Sequence, residues 1–150
     1  MIKKYVHTFL SNFPAMILFV LVILKETTMI VGLCTTILIV VLLKRLSNNL
    51  PKESTLYNLT RRPQSGLCCG VTCMEKKTKV TDAGFPSGHV AFISFFVSCL
   101  PQTFVLTCFK ITLLFLMCYN RIKTGCHTYV QVICGMLLGW SVQKFMISYN

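Results

Sequence analysis

The chain has 150 residues, 54% of them hydrophobic, and sets 15 lysines and arginines against only 4 aspartates and glutamates. So few acids and such long uncharged runs exclude an ordinary soluble core. The net charge of +11 is scattered between apolar runs and not laid along one helical face, which argues against nucleic acid as a partner and for an integral membrane protein.

Five apolar segments follow in chain order, at 5–24, 27–43, 86–100, 103–119 and 128–147, and each reads as a membrane-crossing helix. The first begins MIKKYVHTFL, with two lysines ahead of its apolar stretch as in a signal peptide. KETT follows where small residues would mark cleavage, so a retained span is expected. Residues 44–85 form the one long polar connection, and Pro101-Gln102 reads as a tight turn between the third and fourth spans. The expected architecture is a single all-α domain over 1–150, a polytopic bundle of about five spans.

Five crossings place the amino terminus, the 44–85 connection and the 120–127 turn on one face of the membrane. Twelve of the basic residues lie there, against Lys25, Lys110 and Lys144 elsewhere, and the positive-inside rule makes that face cytosolic. Lys110 stands within the fourth apolar run, where snorkelling to the opposite face or pairing with Glu26 would accommodate it. Nine irregularly spaced cysteines do not form a disulfide framework. Cys68, Cys69 and Cys73 lack a fourth ligand for zinc and read as free or locally paired thiols. Cys126 is not followed by the arginine that a C-x(5)-R phosphatase loop requires.

Three polar clusters meet on the basic face: TRRPQSG at 60–66, PSGH at Pro86–His89, and NRIKTGCHTYVQV at 120–132. Together they suit phosphate chemistry. A helix starting at PSGH presents unpaired N–H groups to an anion, Ser87 adds a hydroxyl, and Gly88 lets an oxyanion approach the backbone. Arg62 and Arg121 offer bidentate donors, His89 is a candidate general acid, and His127 a candidate nucleophile. Gln131, one helical turn beyond His127, can accept the Nδ1 proton and leave Nε2 free, while Gly135 and Gly139 continue the same face as a close-packing stripe.

These motifs resemble the type 2 phosphatidic-acid phosphatase superfamily, whose pattern is K-x(6)-R-P, then P-S-G-H, then S-R-x(5)-H-x(3)-D. Here R-P, P-S-G-H and R-x(5)-H occur in that order, and with their spans they cover roughly residues 28–147. The resemblance implies a helical membrane bundle that needs no metal or other cofactor. It assigns His127 as the phosphorylated nucleophile and His89 as the acid, with Arg62, Ser87, Gly88 and Arg121 holding phosphate. The expected partners are the bilayer and a phosphorylated membrane lipid, of the phosphatidic acid or polyprenyl diphosphate class. The expected location is the endoplasmic reticulum or another endomembrane, for a eukaryotic or viral chain. Enzymes of this family generally face the lumen or exterior, opposite to the side that charge counting gives.

Three positions depart from the pattern. Thr55 stands where the motif lysine belongs; Lys52, the nearest upstream lysine, is the candidate to reach the phosphate in its place, with Lys44 further back; Asn120 replaces the serine; and Gln131 replaces the aspartate that orients the nucleophile. The segment HTYVQV is similar to the dolichyl-diphosphate phosphatase branch, so the glutamine is readable as a subfamily mark. The main expectation is hydrolysis of a lipid phosphate or dolichyl-type diphosphate. The missing lysine and aspartate motivate an alternative, an impaired relative that binds phospholipids or scaffolds a membrane assembly. A phosphotransferase acting on a second alcohol is the third.

Overall fold

The computed structural model describes residues 12–17, 19–20, 26–63 and 83–148. The 64–82 segment, with its Cys68–Cys69–Cys73 cluster and Lys76, Lys77 and Lys79, lies outside the described residues, as does much of the expected 5–24 span. Residues 12–17 and 19–20 of that span are helical, and Phe13 and Ile17 pack against the core.

Five helices follow: α1 (Thr27–Asn48), the short α2 (Thr55–Thr60), α3 (Gly88–Cys99), α4 (Phe104–Lys123) and α5 (Tyr129–Ser148). Among the described residues the only β pairing is one isolated antiparallel bridge between Arg61 and Ala83. Among the described residues three helices, α1, α4 and α5, are long and apolar enough to cross a membrane. Their outer faces expose Leu38 and Leu42 on α1, Phe104, Ile111 and Phe115 on α4, and Leu137 and Phe145 on α5. Side chains of this size in contiguous array suit lipid and not water.

Helix α3 departs from the expected span at 86–100. Its 12 residues reach about 18 Å, short of the roughly 30 Å hydrocarbon thickness. Val90, Ala91, Phe92, Ile93, Phe95 and Val97 are all buried. A helix apolar on every side fits a bundle interior as well as it fits a bilayer. It packs chiefly on α5 and also on α1 and α4.

The close approach of α3 depends on glycine. A Cβ at Gly135 would stand 2.5 Å from the Ser87 carbonyl oxygen, and one at Gly139 would collide with the Ala91 carbonyl. Gly32 on α1 likewise leaves room for the Phe95 ring. Across the α3–α5 contact, the Ser94 hydroxyl donates to the Met136 carbonyl at 2.7 Å. The stripe Gln131, Gly135, Gly139 is buried, so that face of α5 points into the bundle.

Helix ends carry local signals. Ser54 caps α2 and Thr103 caps α4 through their hydroxyls. The chain leaves α3 at Leu100, which is extended ahead of Pro101. Lys110 snorkels to that end and donates to the Leu100 carbonyl at 2.6 Å, so its described partner is a backbone oxygen and not Glu26. At the other end of α4, Gly125 takes φ 67°, a left-handed position that reverses the chain straight after the helix.

Adding one methyl at the tight crossing is expected to be costly. Gly139→Ala should destabilise the detergent-solubilised protein by about 1–3 kcal/mol through overpacking. Leu137→Ala, on the exposed face of the same helix, should change the melting temperature little, and equal losses in the two would refute the packing account.

Candidate functional site

The three sequence clusters converge at one end of the bundle, built from the C-termini of α1 and α4, the N-termini of α3 and α5, and the segment after α2. The reversal at Gly125 folds residues 126–127 back over α4, where the Cys126 and His127 N–H groups donate to the Arg121 carbonyl at 3.1 and 3.2 Å. Arg121, in the last turn of α4, is completely buried and His127 is 2% exposed. Arg62 arrives from the opposite side, its Nη1 donating to the Cys126 carbonyl at 3.4 Å. The two motif arginines therefore flank the backbone that carries His127.

The P-S-G-H turn is fastened to α5 by its backbone, since the Ser87 N–H donates to the Gln131 carbonyl at 3.0 Å. Ser87 is the N-cap of α3, yet its hydroxyl makes no capping bond. Its Oγ is fully buried and has no hydrogen-bond partner among the described residues. Beside it, the first turn of α3 presents N–H groups that have no acceptor within the helix. His89, in that turn, is also buried.

A lysine joins the cluster from an unexpected register. Lys52 is exposed in the turn between α1 and α2. Lys44, near the end of α1, instead brings its Nζ to 4.0 Å from the position a Cβ would take at Gly88. Val40 lies 3.2 Å from the same point, so glycine at 88 lets α1 approach the start of α3. The family spacing hides this lysine because a turn and all of α2 intervene between Lys44 and Arg62.

Of the adjacent arginines, Arg61 has a structural task. Its Nη1 donates to Asn48 Oδ1 at 2.8 Å and its Nη2 to the Ser47 carbonyl at 3.1 Å, and its guanidinium lies 3.9 Å over the Tyr57 ring. It closes the C-terminus of α1 and leaves Arg62 to the site. Gly84 is a further residue that motif reading did not single out. Its N–H bonds the Thr60 carbonyl at 2.8 Å, and a Cβ there would meet Gln131 Oε1 at 2.6 Å and Arg62 Cγ at 3.1 Å.

Gln131 contacts His127 as expected, with Oε1 3.2 Å from Nδ1. Burial first, then the positive fields of Arg62, Lys44 and Arg121, push the His127 pKa from 6.5 down to about 3, with only the Gln131 contact opposing them. The imidazole is therefore neutral at any physiological pH and retains a lone pair. An uncharged imidazole, three nearby cations, a helix N-terminus and a buried hydroxyl without a described partner are thus gathered at one end of the bundle, a donor set of the kind that suits an anion.

Neutral burial has a pH signature. The unfolded chain protonates His127 near pH 6.5, whereas the folded protein resists until about pH 3. Stability should accordingly fall as pH drops from about 6.5 towards 3. Thermal unfolding in detergent across that window should show a smaller acid loss for His127→Asn than for wild type; identical losses would assign the effect elsewhere.

No curated protein and no solved structure gives a significant match to the chain. The sequence profile of one family does, over residues 25–150, and the chain belongs to the PAP2 superfamily.

Proposed function

We propose that the protein hydrolyses a phosphate or diphosphate ester of a membrane lipid, without a metal, through a phosphohistidine on His127. The observation that carries this reading is the convergence of Arg62, Lys44, Arg121 and the Ser87 turn on the buried His127, whose Nδ1 faces Gln131 Oε1 at 3.2 Å. Membership of the PAP2 superfamily supports phosphatase chemistry, and the three apolar helices support a membrane setting for it.

In this scheme Lys44, Arg62, Arg121, the Ser87 hydroxyl and the N-terminal amides at Gly88 hold the phosphoryl oxygens. They stabilise the negative charge that spreads over those oxygens in the transition state. His127 Nε2 attacks phosphorus in line, and the bond to the leaving oxygen breaks. His89 protonates the departing lipid alcohol or phosphate, then deprotonates the water that cleaves the phosphoenzyme. Arrival of the anionic phosphate offsets the cations that depress the His127 pKa. Among lipid classes, HTYVQV favours a polyprenyl diphosphate of the dolichyl type.

Phosphate release by the purified protein, with phosphatidic acid and a polyprenyl diphosphate as substrates and a chelator present, tests the proposal. Release should survive chelation and vanish in His127→Ala. Lys44→Met should raise KM about tenfold, while Lys52→Met stays within twofold of wild type. Binding of both lipids with no release from either, in folded wild type, would instead support the impaired lipid-binding relative.

The site's side of the membrane is proposed from Cys126. It is disulfide-bonded, whereas Cys34, Cys99, Cys108, Cys118 and Cys134 are free; its partner lies outside the described residues. A disulfide beside His127 fits an oxidising lumen or exterior and not a reducing cytosol. Several basic residues counted towards the cytosolic assignment, Lys44, Arg62 and Arg121 among them, then serve phosphate binding and not topology. In membranes isolated under thiol-blocking conditions and then denatured to expose the buried Cys126, that thiol should be alkylated only after reduction; labelling without reductant would return the site to the cytosolic face.

A further inference from the structure

Gln131 is fully buried, and both ends of its amide are engaged. Nε2 donates to the Leu59 carbonyl at 3.1 Å and to the Arg61 carbonyl at 2.7 Å. Oε1 accepts from the Thr128 N–H at 3.3 Å and faces His127 Nδ1 at 3.2 Å. Two donors and two acceptor positions are the full capacity of a carboxamide. Three of the four partners are backbone groups with no freedom of role: the two carbonyls only accept and the Thr128 amide only donates. They fix which end of the side chain is oxygen. The fourth contact then requires His127 to carry its proton on Nδ1, which leaves the lone pair on Nε2.

We propose that Gln131, beyond the contact with His127 expected from its place in the motif, is a positioning residue that seats Arg62 through the donor end of its amide. The proposal rests on the phosphohydrolase reading above and deepens it. Arg62 directly follows the Arg61 carbonyl that Gln131 holds, so loosening that carbonyl loosens the phosphate-binding arginine. Gly84 shows how near the two lie, since a single Cβ there would touch both Gln131 Oε1 and Arg62 Cγ. An aspartate, shorter and without donors, would turn its charge towards the Leu59 and Arg61 carbonyls. The family aspartate is therefore not a missing part that could be restored here; this backbone requires a donor at position 131.

The test uses the full chain in detergent as wild type, Gln131→Glu, Gln131→Asp and Gln131→Met. The readouts are kcat and KM against pH, and thermal protection by inorganic phosphate, which needs no turnover. Gln131→Glu keeps the acceptor for His127 and loses both donors. It should weaken phosphate protection and raise KM about tenfold. Its kcat should hold within about threefold, with the acid limb of the kcat profile displaced to higher pH by the new carboxylate. Gln131→Asp should be poorer than Gln131→Glu on every measure, and Gln131→Met should lose kcat and phosphate affinity together.

An aspartate variant equal to wild type would overturn the proposal, and so would a Gln131→Glu protein that loses kcat with KM and phosphate protection unchanged. Where the charged variants fail to fold, Gly84→Ala presses on the same amide and on Arg62 without altering their chemistry. It should lower kcat and phosphate protection together, and a change in only one would sink the coupling. If wild type releases no phosphate from any lipid, the hydrolase reading falls, yet a tenfold loss of phosphate protection in Gln131→Glu would still uphold the seat of Arg62.

Discussion

Two helix backbones in near contact are the constraint on which the site depends. Where α3 crosses α5, Gly135 and Gly139 remove the side chains that would hold the helices apart, and carbonyl groups of Ser87 and Ala91 occupy the space. Without that approach the Ser87 N–H could not reach the Gln131 carbonyl, and the P-S-G-H turn would not sit beside the histidine of α5. Small residues serve this purpose well in a membrane, where apolar side chains gain little by leaving lipid and association rests on close packing. Packing at the middle of the bundle thus determines chemistry at its end.

The site itself works against the stability of the fold. Three cations gather around one uncharged imidazole, and their mutual repulsion falls where burial limits solvent screening. Arg61 is the contrast within the same segment, with two oxygen acceptors and an aromatic face around it. Arg61 holds α1 to α2, whereas its neighbour Arg62 reaches across to the Cys126 carbonyl beside His127. An arrangement of this kind favours an anionic ligand before any particular contact is considered.

How far the sequence could be read follows from what each feature depends upon. Counting apolar runs was enough to bring Arg62, P-S-G-H, Arg121 and His127 to one end, because crossing number alone governs which loops share a face. Helix limits were harder. The apolar run closes at 43, yet α1 continues through Lys44 and Arg45 to Asn48, since hydrogen bonding does not stop where hydrophobicity does. For the same reason Lys44 reads in the sequence as a flanking charge. The apolar run at 86–100 reads as a span because uniform apolarity is shared by lipid-exposed and core helices, and only the length and burial of α3 separate them. The donor half of Gln131 was illegible: its partners are main-chain carbonyls 72 and 70 residues away, which no side-chain pattern encodes.

Lys110 unbalances the electrical polarity of α3. A helix carries about half a positive charge at its N-terminus and half a negative charge at its C-terminus, and in water both are screened. Here the negative end, at the Leu100 carbonyl, is covered by an ammonium group, while the positive end opens at Gly88 beside Lys44. With only 12 residues between them, the two ends lie about 18 Å apart in a medium of low dielectric. Cancelling the negative end leaves the positive end less opposed, so a basic residue at one end of the bundle raises the electrostatic potential at the other.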